Sequence, residues 1–224
     1  MTAIVHTPWP KIARLNRTIS ITEKIDGTNA AVGIVPVDEL AREPFGSIIA
    51  ITTSGYAIYA QSRNRLITPE SDNAGFAQWV KDHAENLAIS LGRGLHFGEW
   101  WGRGIQRGYG LSDRHFSLFN TDKADALDAA GDLGYGVEGL DTVPLLYRGT
   151  YNAWAIEQAL DDLHTFGSVA AAWSKPEGIV IYHHQARIGF EVLLENDALP
   201  KSAVEPAELH VLNRAEPVRV LVTT

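Results

Sequence analysis

Residues 18–35, TISITEKIDGTNAAVGIV, constrain the fold more than any other stretch of the chain. Ile19 and Ile21 alternate with polar neighbours, as in a half-buried strand, Gly27 breaks the run, and residues 30–35 are apolar enough for a buried strand. A strand, a tight turn and a second strand are therefore expected. Further strands are expected over 47–53, 94–101, 115–120, 142–147, 178–183 and 188–194. The 72–91 segment reads as one helix, because Phe76, Trp79, Val80, His83, Ala84, Leu87 and Leu91 recur at three- and four-residue steps. Ser71 or Asp72 can cap its start and Gly92 can end it. Two more helices are expected over 121–130 and 152–166, the second with Asn152 as cap and Ile156, Leu160 and Leu163 as its apolar stripe. A last apolar run covers 218–222. The order lacks regular strand–helix–strand alternation, which predicts an α+β fold with mainly antiparallel sheets flanked by helices. No fixed-period repeat or Pro/Ser linker divides the chain, so 1–224 is expected to form a single domain.

Composition excludes several classes. At 224 residues, 45% hydrophobic and 21% charged, the chain is long enough to bury a globular core. No apolar run approaches the roughly 20 residues that span a bilayer, so no membrane partner is expected. Residues 1–11 lack the charged-then-apolar layout of a signal peptide. With no cysteine there is neither a disulfide framework nor a thiolate zinc site, which suits a reducing, cytoplasmic setting. The net charge of −8, taken as an average, argues against a protein that lives on phosphate contacts. Its distribution reverses that argument. Between residues 120 and 164 acids outnumber bases nine to two, whereas between 93 and 115 four arginines face two acids. The acidity is expected on a solvated back, with a mildly basic working face.

The segment Glu23-Lys24-Ile25-Asp26-Gly27-Thr28-Asn29 places an amine, a carboxylate and an amide at one rim. An amine attacks only when deprotonated, and free lysine sits near pKa 10.4, so burial, a nearby cation or a bound metal ion has to lower it. Taken alone, Lys-x-Asp-Gly is most often a surface ion pair at a hairpin turn. The companions alter that reading. Lys24-Ile25-Asp26-Gly27-Thr28-Asn29 resembles the nucleotidyl-transfer motif of covalent nucleotidyltransferases, the polynucleotide ligases and capping enzymes. His96-Phe97-Gly98-Glu99, followed by Gly102-Arg103-Gly104-Ile105-Gln106, resembles the family's third motif. The trailing Gly-x-Gly-Ile-Gln is similar to the branch of RNA ligases typified by the second RNA ligase of T-even phages. Phe116-Ser117-Leu118-Phe119-Asn120 resembles the next motif, and Glu177-Gly178-Ile179-Val180-Ile181 the fourth.

The resemblance implies an ATP-grasp-like nucleotidyltransferase catalytic domain that forms a lysyl–AMP intermediate on Lys24. AMP would pass to a 5′-phosphate end, which a 3′-hydroxyl then seals. It implies ATP and Mg²⁺ (or Mn²⁺) as cofactors, and nucleic-acid ends as partners, with RNA favoured over DNA. Asp26 and Asn29 would orient phosphate, metal or water. Glu99 would accept the ribose hydroxyls, Glu177 would help hold the metal, and Arg63 would meet phosphate or the nucleic-acid end. Glu23 would fix the purine through its backbone. Phe119 would stack on adenine, with Phe116 as the alternative, since residues three apart on a regular strand face opposite ways. The family's fifth motif carries two lysines that touch the α-phosphate; here Glu191 and Leu193 stand in their places, and Arg187 and Lys201 are the nearby cations. A phage-like origin and the absence of a following OB-fold are also what the resemblance implies. The sequence is silent on oligomeric state, a monomer being compatible with it. Two other readings stand beside this one: a GTP-using capping-type guanylyltransferase, and a catalytically silent nucleic-acid-end or nucleotide-binding module.

Overall fold

The computed structural model describes residues 4–40 and 47–197. The chain begins its first strand, β1 (Thr18–Lys24), and continues through β2 (Thr28–Pro36), β3 (Ala50–Ile51), β4 (Tyr56–Ser62) and β5 (Leu66–Ile67). Two helices follow, α1 (Phe76–Asp82) and α2 (Ala84–Leu91), then β6 (Gly94–Gly102) and β7 (Arg114–Leu118). The remainder runs α3 (Ala124–Asp132), β8 (Leu140–Thr142), β9 (Leu145–Thr150), α4 (Ala153–Phe166), β10 (Gly178–His183) and β11 (Ile188–Leu193). Four strands form one sheet in the order β11-β10-β1-β9. The other sheet has the order β3-β4-β2-β6-β7-β8, with β5 paired to β4. All pairings are antiparallel except β7 with β8. The α+β expectation with mainly antiparallel sheets holds.

The turn at Gly27 does not make a hairpin. β1 and β2 belong to different sheets, and residues 25–27 carry the chain from one to the other. The expected strand at 142–147 divides in the same way, because Pro144 has no N–H for a ladder. β8 stays in the larger sheet and β9 joins the smaller. Among the described residues the chain crosses between the sheets only at these two places. Ile25 from one crossing and Val143 from the other share a buried cluster with Trp101 and Tyr109. The Glu23 N–H donates to the Pro144 carbonyl, which ties the crossings together.

The expected 72–91 helix is two helices, broken at His83 (φ −112°, ψ 15°), with the apolar spacing preserved across the break. The Asp72 carboxylate caps the first, accepting from the N–H groups of Ala77 and Gln78. Against these helices the larger sheet packs Ala30, Val32, Ile34, Ile58, Trp100 and Phe116. In the smaller sheet Ile19, Ile21, Ile179 and Ile181 pack against Ala155, Ala159 and Leu163 of α4. Asn152 caps α4 as expected, accepting from the Trp154 N–H. Side chains alternate across a strand, so the other face of each sheet is left for a cleft between them. The smaller sheet brings Ser20, Thr22 and Lys24 to it; the larger brings Asn29, Phe97 and Glu99. The strand expected at 47–53 is reduced to Ala50–Ile51, and β4 went unread although Gly55 marks its turn. The 218–222 run lies outside the described residues.

Candidate active site

Lys24 ends β1 on the cleft side. Its register partner on β10 is Gly178, so Glu177 stands beside the amine. The Lys24 Nζ donates to Glu177 Oε2 at 2.8 Å. Glu191 pairs with Val180 across β10–β11, and its Oε2 lies 3.5 Å from the same nitrogen. From the larger sheet, Asn29 and Glu99 are directly opposite one another on β2 and β6. These elements enclose a cavity of about 550 Å³, lined among others by Lys24, Asp26, Asn29, Arg63, Glu99 and Glu177. The 153-residue separation of Lys24 and Glu177, and the spread of the others, is thus erased by three strand pairings, β1–β10, β2–β6 and β2–β4, and one crossing.

The crossing itself is tightly held. A Cβ on Gly27 would lie 2.5 Å from the Trp100 carbonyl oxygen and 2.8 Å from the Trp101 Cβ, so only glycine fits. The Asp26 N–H donates to the Tyr109 hydroxyl at 2.9 Å, and Arg107 Nε donates to Asp26 Oδ2 at 3.0 Å. Arg107 also donates to the Lys175 carbonyl, which fixes the backbone just before Glu177.

Charge dominates the cavity. Burial pulls the Lys24 amine down, but the Glu177 hydrogen bond and the charges of Glu177, Glu191 and Glu99 outweigh it, leaving its pKa raised. The ammonium form is therefore the resting one. Burial pushes the Glu99 carboxyl up to about 7, against the opposing pull of Lys24 and the Gly27 N–H. Burial likewise raises Tyr109. The lining cations Lys24, Arg63 and Arg107 face the lining acids Asp26, Glu99, Glu177 and Glu195.

Other expected residues lie elsewhere. The Glu23 side chain turns to the opposite face of β1, is 1% exposed, and accepts from the N–H groups of Val169 and Ala170. Its backbone N–H is already taken by Pro144. Arg187 sits in the β10–β11 turn with φ 55°, the length of a six-residue strand from Glu177, and so is not brought to the cavity. Lys201 lies outside the described residues. Phe116 is fully buried against Phe76, Trp79 and Trp100, which removes it as a stacking face. Phe119, just past β7, is 44% exposed and donates its N–H to the Phe97 carbonyl on the cleft side. It does not line the cavity beside Lys24. Both Trp100 and Trp101 are buried, on opposite faces of β6.

Thr28, Gln106, Arg107, Leu193, Glu195 and Asn196 line the cavity without having been singled out as site residues. Gln106 closes the Gly-x-Gly-Ile-Gln extension, which was the available signal for it, and Arg107 is the residue that follows. β11 residues were weighed only for the lysines they lack.

A divalent ion fits the donor set in one particular way. Hard cations take oxygen ligands, and Mg²⁺ usually keeps waters and substrate phosphates beside one or two carboxylates. Glu177, at the cavity beside Lys24, can supply one such carboxylate. No preformed group of three acidic or histidine ligands occurs among the described residues. The ion would arrive with its phosphate rather than wait in a protein cage.

Among solved structures, a variant of the Naegleria gruberi RNA ligase with ATP and Mn matches at 18% identity and a TM-score of 0.55, over 81% of this chain and 51% of that one. A second variant, with AMP and Mn, matches at 20% identity and a TM-score of 0.53, over 80% and 50%. The likeness is one of fold, and this chain spans about half the length of those ligases. No curated protein matches it. The RNA ligase family pattern covers residues 17–197, from the start of β1 to just past β11 and across every cavity residue named above. The chain belongs to the RNA ligase family.

Proposed function

We propose that the cavity is the adenylylation site of an ATP-dependent RNA ligase, within a nucleotidyltransferase domain of the ATP-grasp-like type. The observation that carries this reading is the 2.8 Å contact of Lys24 with Glu177 in a cavity that also holds Asn29, Arg63 and Glu99. Lys24 loses a proton and its Nζ forms a bond to the α-phosphorus of ATP, while the bond to the β,γ-pyrophosphate breaks. The product is a lysyl–AMP phosphoramidate. AMP then moves to a 5′-phosphate, and a 3′-hydroxyl displaces it.

Residues of the chain take distinct parts. Glu177 holds the amine in place and would share a divalent ion with the incoming phosphates. When bound, that ion neutralises phosphoryl charge and disfavours the ammonium form of its neighbour. Glu99 faces the ribose. Arg63 and Arg107 are the cavity's arginines, and they take the place that lysines of the fifth motif hold elsewhere in the superfamily. Phe119 offers an aromatic face farther along the cleft, where stacking on a base contributes roughly 1–3 kcal/mol. RNA ends are the expected partners.

Incubation with α-labelled ATP and Mg²⁺ or Mn²⁺ tests the reading. A covalent label is expected on the unmodified chain and not on Lys24→Ala. No label, or a label that survives Lys24→Ala, overturns it. Competition by unlabelled GTP better than by ATP would favour a capping-type enzyme, and nucleotide binding without a label a silent module.

A further inference from the structure

On the side of the smaller sheet away from Lys24, α4 and β9 leave an open apolar groove of about 420 Å³. Leu146, Trp154, Ala159, Phe166 and Val169 line it. Trp154 is 65% exposed and Phe166 81%, although each has an apolar surface large enough to anchor an interface. The rest of α4 is acidic: Glu157, Asp161 and Asp162 stand on it and no lysine or arginine does.

The same molecule carries a segment with the opposite character. Residues 4–17, IVHTPWPKIARLNR, contain three cations, Lys11, Arg14 and Arg17, and no acid. Ile4, Val5, Trp9, Ile12 and Leu15 are all exposed. Pro8 and Pro10 fix the backbone on either side of Trp9, so this part is already extended and loses little freedom on docking. The six residues from Ile4 to Trp9 span about 17 Å when extended, and the 14-residue α4 is about 21 Å long. Lengths, charge and apolarity match.

We propose that residues 4–16 form an arm that seats in the α4–β9 groove of a second copy of this chain. The arm's root favours a second copy over its own groove. The Arg14 N–H donates to Gln185 Oε1, and the buried His183 Nε2 is 3.0 Å from the Leu15 carbonyl. Both contacts lead the arm over the β10–β11 turn, and β9 with its groove lies on the other side of β1. An exchange between two copies is reciprocal and closed: each arm fills the other's groove, doubling the area that one arm buries. This departs from the monomer compatible with the sequence.

Sedimentation equilibrium on the unmodified full chain, at tens of micromolar, tests the exchange. A dimer is expected. Trp9→Ala is expected to weaken it roughly 1,000-fold, the loss of one buried tryptophan anchor on each side. Phe166→Asp, on the groove side, is expected to do the same. Should Phe166→Asp fail to fold by circular dichroism, Trp9→Ala decides alone, because Trp9 contributes nothing to the core. A monomer, or a dimer indifferent to Trp9→Ala, overturns the proposal. So does a dimer that is lost on removing residues 198–224 and kept in Trp9→Ala, since the tail would then be the occupant. Measuring the covalent label on Trp9→Ala keeps this question separate from the adenylylation reading.

Discussion

The two walls that flank Lys24 are built to different standards. On one side, the crossing at residues 25–27 is wedged against the Trp100 carbonyl and held by Tyr109 and Arg107. On the other, β11 is an edge strand whose Ile188, Phe190 and Glu191 are exposed. The wedged wall keeps the motif residues of the family, and the edge strand carries an acid and a leucine where two lysines are expected. A substitution in a packed wall must satisfy every neighbour, whereas an exposed edge position changes with little effect on stability. The packed crossing is thus expected to resist substitution more than the edge strand does.

Gly27→Ala attacks the wedged wall most directly. Its Cβ meets backbone rather than a flexible side chain, so a loss of about 3 kcal/mol in unfolding free energy is expected, with loss of labelling. Denaturant unfolding measures it, and a near-native midpoint would show that the wall yields. Glu99→Gln probes the same wall through pH. A carboxyl raised to about 7 in the fold binds its proton more tightly than in the unfolded chain, so ionising it costs stability as pH rises from about 4.5 to 7. Removing the charge is therefore expected to stabilise by about 3 kcal/mol at pH 8, seen as a Tm higher by roughly 9 °C, and to do nothing near pH 4. An equal change at both pH values would contradict the assignment.

The edge strand is expected to respond in activity instead. Glu191→Lys replaces an anion near the nucleophile by a cation, and labelling is expected to rise about tenfold, equivalent to 1.4 kcal/mol. Its unfolding free energy should move by no more than about 0.5 kcal/mol. A slower label would mean that Glu191 serves the reaction as it stands. The smallest effect is expected for Tyr109→Phe, which leaves the Asp26 N–H without its acceptor at a cost of about 1 kcal/mol.

Sequence legibility follows the same division. Lys24, Glu99 and Glu177 were readable because each sits in a compact motif, Lys24 and Glu177 at the end and the start of strands and Glu99 within β6, and β10 and β11 of the smaller sheet were placed almost to the residue. What strand periodicity does not encode is which sheet a strand joins, so β1 and β2 looked like neighbours although they are partners of neither each other nor a common sheet. Pro144 was the visible warning that 142–147 was two strands. Arg107 and Tyr109 lie in a glycine-rich loop with no period, and their roles depend on Asp26, some 80 residues earlier, for which local pattern offers no clue. Glu23 faced away because alternate residues of a strand do, a rule that its position beside Lys24 already implied.

The two crossings have a mechanical consequence. Ile25 and Val143 pack together and Glu23 bonds Pro144 at the crossings, and a second tie runs from Arg148 of β9 to Thr121 and Asp122 just past β7, so the sheets are joined at two places. Lys24 stands next to the crossings, and Phe119 comes just before the second tie in the chain. Admitting a bulky polynucleotide would therefore load the Arg148 tie first, while Lys24 and Glu177, both carried by the smaller sheet, keep their distance from one another.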